Sequence, residues 1–190
     1  AVRKALDGGI NWFDTAAVYG AGKSEENLGA VLRELDAAPG ISTKFRVQAE
    51  DGDIAGQVER ACRQNLARLG MERIDLLQHH NNILAEPADT GVTPDQILGP
   101  GGVVEGLERL RDKGLIKWLG ITAIGDASAC CEVIGSGAID TAQVYYNMIN
   151  PSSGFAADKA NASLVGGGHN FSGILDSCAA VDVGVIAIRT

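Results

Sequence analysis

Short apolar runs recur along this chain, and between them lie stretches whose apolar residues follow helical spacing. Ile10 to Asp14, Ile41 to Lys44, Ile74 to His80, Lys117 to Thr122, Thr141 to Tyr145 and Val183 to Ile188 read as strands. A helix is expected from Ser24, with Ser24 as N-cap and Glu25 and Glu26 in the first turn, where the helix dipole favours acids. Its stripe is Leu28, Val31, Leu32 and Leu35. Asp53 is the expected cap of the next helix, which runs through Ile54, Val58, Cys62, Leu66 and Leu69 to a stop at Gly70. Further helices are expected around Val104, Leu107 and Leu110, around Cys131, Val133 and Ile134, and from Ile174 to Val181. Asn81 to Gly102 is a Pro/Gly-rich connection, and Asn150 to Ser172, which holds Pro, Ser and several Gly, reads as a long loop.

Strands separated by helices imply a parallel sheet with right-handed crossovers. A doubly wound open sheet and a (βα)8 TIM barrel both fit. The polar residues favour the barrel, because Asp14, Lys44, His80, Thr122 and Gln143 stand at or near the C-terminal ends of successive strands. In a barrel those ends converge on one mouth, whereas in an open sheet they are strung along a line. About six of the eight strands are present, so the barrel is expected to be incomplete.

The 190 residues suffice for one core, and no linker divides them, so 1–190 is read as a single domain. The chain starts without Met inside a helical pattern and stops inside a strand pattern, so a piece of a longer protein, truncated at both ends, is expected. A net charge of −8 with no basic stripe argues against nucleic acid. No apolar run approaches the roughly 18 to 20 residues of a membrane span. Cys62, Cys130, Cys131 and Cys178 lack metal-site or CxxC spacing and read as small packed thiols in a reducing cytoplasm. A metal site is not expected.

The stretch FDTAAVYGAGKSEENL, residues 13 to 28, admits two chemistries. Gly22-Lys23-Ser24 suggests a phosphate-cradling loop, but the first glycine of that motif is replaced by Ala17, and Val18 and Tyr19 resist the open backbone a phosphate nest needs. Lys23 is then a solvated loop lysine. The other half sets Asp14 and Tyr19 at a strand end, as in an acid–base site.

That half is similar to the signature of the aldo-keto reductases. The likeness continues in order through Ser42-Thr43-Lys44, Ile74-Asp75-Leu76-Leu77-Gln78-His79-His80-Asn81, Gly114-Leu115-Ile116-Lys117 and Gln143-Val144-Tyr145-Tyr146-Asn147. The resemblance implies an (αβ)8 barrel that interconverts a carbonyl (aldehyde, ketone or sugar) and an alcohol. Its catalytic four would be Asp14, Tyr19, Lys44 and His80. Tyr19 would give the proton, Lys44 would lower the phenol's pKa, Asp14 would hold Lys44, and His80 would position the carbonyl oxygen. The family spacing from Asp75 selects His80 rather than His79, and adjacent strand residues face opposite ways. His79 is then a packed histidine of the helix-facing side, and His169 lies in a Gly-rich loop without a ligand partner nearby in sequence. The resemblance also implies a nicotinamide cofactor, NADP(H) in preference to NAD(H), touched by Thr122 and Gln143. The family's Ser-Asn pair is here Thr122-Ala123, and the last strand ends Ile188-Arg189-Thr190 where many members carry a stacking aromatic ring. This places the match nearest the sugar dehydrogenases similar to galactose or threo-aldose dehydrogenases. The competing reading is a non-catalytic subunit that holds the cofactor as a redox sensor.

Overall fold

A computed structural model describes residues 1–89, 91–156 and 170–189. The main sheet is built from β1 (Trp12–Asp14), β2 (Gly40–Phe45) and β3 (Ile74–His79), then, after two short strands β4 (Asn82–Ile83) and β5 (Gly91–Val92), from β6 (Ile116–Thr122), β7 (Thr141–Tyr145) and β8 (Gly184–Ile188). Its strand order is β1-β2-β3-β6-β7-β8, every pair parallel. Within this sheet each strand joins beside the one before it in the sheet, so the order never reverses, and a doubly wound sheet with a switch point is excluded. The sheet curls as an incomplete (βα)8 barrel.

The helices are α1 (Val2–Asp7), α2 (Lys23–Glu34), α3 (Ile54–Leu69), α4 (Pro94–Leu98), α5 (Val103–Asp112), α6 (Ala127–Gly135) and α7 (Ile174–Ala180). They pack on one another in chain order, α2 on α3, α3 on α5 and α6 on α7. The core lies between them and the sheet. Leu32, Val58, Cys62, Leu69, Leu107, Leu110, Val133 and Ile134 from the helices meet Ile41, Leu77, Leu119, Ile121, Ala142 and Val144 from the strands. On the other, concave side, Trp12, Leu76, Trp118, Thr141 and Ile186 line a common cavity, with the two indoles 6.2 Å apart.

Several expectations needed correction. β1 is only three residues long, and Ile10 stays outside it, exposed. Ser24 does not cap α2. The helix begins at Lys23 behind Gly22, whose left-handed backbone (φ 92°) turns the chain into it, and the Ser24 hydroxyl pairs with Thr15 at 2.7 Å. Asn81 to Gly102 is not plain loop. It holds β4, β5 and α4, and a capping box at Thr93 and Gln96 with Pro94 at the first helical position shapes the last of these. That signature was legible in the sequence. β8 carries a buried-strand pattern but is largely exposed, because it pairs only with β7 at the edge of the sheet. Within Asn150 to Ser172, a 3₁₀ turn spans Ser152–Gly154. Gly166, Gly167, Gly168 and His169 lie outside the described residues, as does Thr190.

The α2–α3 contact depends on missing side chains. A Cβ on Gly29 would lie 1.9 Å from the Leu69 carbonyl oxygen, and both partners there are helix backbone that cannot swing aside. The same junction closes the C-terminal end of α3, where Arg33 donates to the Leu69 carbonyl at 2.8 Å. Gly29→Ala is therefore expected to cost about 1–3 kcal/mol or more through overpacking, read as a lowered denaturation midpoint.

Candidate active site

The polar residues at the strand ends are brought together by the period of the strand. Lys44 and Ser42 sit two apart on β2 and share its concave face. Gln78 on β3 points the same way. All three converge on Asp14, the last residue of β1. The Asp14 carboxylate accepts from Lys44 Nζ at 2.5 Å, from Ser42 Oγ at 2.6 Å and from Gln78 Nε2 at 3.3 Å. Ser42 Oγ in turn accepts from Trp12 Nε1 at 3.1 Å. Ser42 and Gln78 were quoted only as motif letters in the sequence reading. Counting back two from Lys44 and from His80 would have found both.

Lys44 is 1% exposed although it carries a cation. Its second hydrogen bond goes to the Thr15 carbonyl at 2.8 Å, which leaves one N–H donor of the ammonium. The ammonium lies 5.3 Å from the centroid of the Tyr19 ring. Burial lowers the Lys44 pKa, and the carboxylates of Asp14 and Glu25 oppose that shift. Tyr19 sits at the rim, 44% exposed, on the loop between β1 and α2. Its ring meets that of His80 edge-on, with centroids 6.4 Å apart and planes at 87°.

The expectation that Lys44 depresses the Tyr19 pKa needs correction. The phenol is held above its ordinary value, first by burial, then by the negative Asp14 and by Tyr145, with Arg189 pulling the other way. The Asp14 carboxylate that holds Lys44 also faces the phenol, and its charge adds to the rise.

The two histidines separate as strand geometry requires. His79 is fully buried on the helix-facing side, its ring 5.8 Å from that of Phe45. Neither of its nitrogens has a hydrogen-bond partner among the described residues, and the neighbouring Asn81 amide is committed to the Val47 backbone. His80, one residue beyond β3, is half-buried beside Tyr19. Burial and the charges of Lys44 and Arg46 push it down to about 4, against the pull of Asp14, so its imidazole is neutral near pH 7.

Thr122 and Gln143 end up side by side, register partners on β6 and β7, both buried. Thr122 Oγ1 and Gln143 Nε2 are buried without a hydrogen-bond partner among the described residues. A hydroxyl and an amide donor left open together suit a planar carboxamide, which both accepts and donates. The residues present therefore fit a nicotinamide.

The thiols carry no comparable signal. Cys62, Cys130 and Cys178 are buried, and burial pushes them up to about 12, about 12 and about 11. The Lys23 ammonium is exposed and pairs with Glu26 at 2.7 Å, on the helix rather than in a loop.

The chain is similar to known proteins in both sequence and fold. A model of the aldo/keto reductase family matches residues 1–190. A probable aldo-keto reductase 1 from Glycine max is 32% identical over 128 residues, 64% of this chain and 34% of the relative. L-galactose dehydrogenase from Arabidopsis thaliana is 30% identical over 127 residues, 65% of this chain and 37% of the relative. Among solved structures, an aldo-keto reductase from Klebsiella pneumoniae in complex with NADPH superposes with a TM-score of 0.72 at 22% identity, covering 100% of this chain and 56% of that one. The chain thus spans about half the length of that protein.

His79 makes stability depend on pH. Burial holds it at about 3, against 6.5 for a free imidazole. Between those values the unfolded chain binds a proton that the native state refuses, so the native state loses stability as pH falls below 6.5. The histidine's share of that loss is expected to approach about 1.4 kcal/mol per pH unit. Denaturation of wild type and His79→Leu across this range should show the shallower decline in the variant.

Proposed function

The chain belongs to the aldo-keto reductase family, and on that footing we propose that it carries the catalytic half of an NAD(P)H-dependent oxidoreductase interconverting a carbonyl and an alcohol. The observation that carries this reading is the ion pair of Asp14 with the buried Lys44, facing Tyr19 and a neutral His80 across one mouth. When bound, the nicotinamide supplies the hydride that goes to the carbonyl carbon.

The protein's own part is the proton and the positioning. Tyr19, with its pKa raised, keeps its proton near neutral pH and gives it to the carbonyl oxygen as that oxygen becomes an alkoxide. Lys44, with one donor free, stabilises the phenolate left behind. Asp14 holds the ammonium in place and keeps the buried cation matched. A neutral His80 offers an N–H to the carbonyl oxygen and orients it. Thr122 and Gln143 hold the carboxamide, so the nicotinamide presents one face to the substrate. A complete acid–base set disfavours the non-catalytic sensor reading.

The finer assignments rest on relatives. NADP(H) is preferred to NAD(H) because three of the neighbours were solved with NADPH or NADP. A sugar is the favoured substrate within the wider class of aldehydes and ketones, since L-galactose dehydrogenase and a 6-dehydroglucose reductase are among the matches. Residues 1–190 form one structural unit in this reading. Its free cysteines suit a reducing cytoplasm.

Cofactor oxidation against a panel of aldehydes, ketones and sugars tests the activity. Tyr19→Phe is expected to lower turnover about 10²–10⁴-fold, the size of a lost general acid, with cofactor affinity retained by titration. Replacing Thr122 and Gln143 together by Val and Leu should do the reverse. The cofactor Kd should weaken while proton transfer from Tyr19 remains. If Tyr19→Phe keeps wild-type turnover, the assignment of the proton donor is wrong.

A further inference from the structure

Behind Lys44, on the side away from the mouth, lies a second charged pair, its carboxylate buried and its guanidinium partly exposed. Glu25 is fully buried in the first turns of α2. One of its oxygens accepts from Thr43 Oγ1 at 2.6 Å, and the other from Arg68 Nε of α3 at 2.5 Å. Arg68 donates onward to Asn65 Oδ1 at 2.7 Å, and Asn65 Nδ2 donates to the Lys44 carbonyl at 3.1 Å. The network therefore grips β2 at Thr43 by its side chain and at Lys44 by its backbone.

The same helix start is fastened to the loop that bears Tyr19. Ser24 N–H donates to the Tyr19 carbonyl at 3.3 Å, and the Ser24 hydroxyl pairs with Thr15, whose carbonyl accepts from the Lys44 ammonium. Arg68 also runs directly beneath Gly22. A Cβ there would lie 2.7 Å from its Cδ. An acid placed at a helix N-terminus only to satisfy the dipole would sit in solvent, as Glu26 largely does. Burying a carboxylate fully is costly unless it is paired and hydrogen-bonded, and here both oxygens are engaged.

We propose that Glu25 is a positioning residue for the acid–base pair, fixing the distance between the Lys44 ammonium and the Tyr19 ring by tying β2 and the Tyr19 loop to one buried carboxylate. This rests on the reductase reading for its catalytic consequence, though not for its geometry. The charged or titratable groups around Lys44 are Asp14 from β1, Tyr19 from the loop, His80 from β3, and Glu25 and Arg68 from the helix side. Of these, Glu25 acts on the Lys44 charge from behind and favours the ammonium.

The test is the acylation rate of Lys44 in the intact chain, followed by mass spectrometry across a pH series with the exposed Lys113 as internal reference. In wild type, Lys44 should be strongly protected. Glu25→Gln is expected to raise its labelling rate and to move its apparent pKa down. Thr43→Val keeps the Glu25–Arg68 pair and removes one tether, so protection should fall with little movement of the pKa. Arg33→Met serves as the control. It loosens the α2–α3 junction at its far end and should lower thermal stability without changing Lys44 labelling. Wild-type labelling in folded Glu25→Gln overturns the proposal. Should that variant fail to fold, wild-type labelling in Thr43→Val overturns it instead. In the active enzyme, both variants should lower kcat, by up to about 10²-fold for an ångström of misplacement, with the cofactor Kd unchanged. Loss of Lys44 protection in a full-length protein without turnover on any carbonyl would sustain the positioning role and reject the reductase reading.

Discussion

The Lys44–Asp14 ion pair is the contact on which the rest of the site depends. A lysine that is 1% exposed can remain charged only if a partner sits against it, and Asp14 does so at 2.5 Å. The pair then dictates its surroundings. Asp14, partly open to the mouth, accepts from Ser42 and Gln78 on its other oxygen. Lys44 donates a second hydrogen bond to the chain itself, at the Thr15 carbonyl. The ammonium's freedom is thus nearly exhausted before any ligand arrives. Electrostatic groups that need no reorganisation during reaction are the ones that contribute most to a transition state.

Holding that pair in place demands close packing elsewhere. β1 contributes only three residues to the sheet, so Asp14 is kept in position by side chains as much as by its ladder with β2. Glycines bring the outer helices near enough to matter. Gly29 lets α2 approach the end of α3, and Gly22 lets Arg68 pass below the loop that carries Tyr19. The Glu25–Arg68 pair lies at this junction. The mouth of the half-barrel and its helix layer are therefore mechanically one object, although the chemistry is confined to the concave side.

Much of this was legible in the residues. Strand period two, with a polar residue at each strand end, located Asp14, Lys44, His80, Thr122 and Gln143, and the structure puts all five at the C-terminal side of the sheet. The opposite facing of His79 and His80 follows from the same period. What escaped was decided by partners distant in sequence. Glu25 read only as an acid of a first helical turn, because nothing in its neighbours reveals Arg68, 43 residues away. The Tyr19 pKa was expected to fall toward Lys44. It rises because burial and the Asp14 charge act together, a balance only coordinates can show. The connection from Asn81 to Gly102 looked structureless since its strands are two residues each, too short to leave a period.

By itself, the sequence determined the alternation of strand and helix, the parallel sheet that alternation forces, and the chemical types gathered at the strand ends. These are local properties, set by periodicity and by the Cβ direction that each backbone conformation imposes. Only the tertiary structure decided that the strands stand in unbroken order and so curl as part of a barrel. It also decided which acid meets which base, and which charges are removed from water. Those outcomes depend on distance and burial between segments far apart in the chain. Coulomb energy and desolvation vary there over ångströms that no spacing in a sequence records.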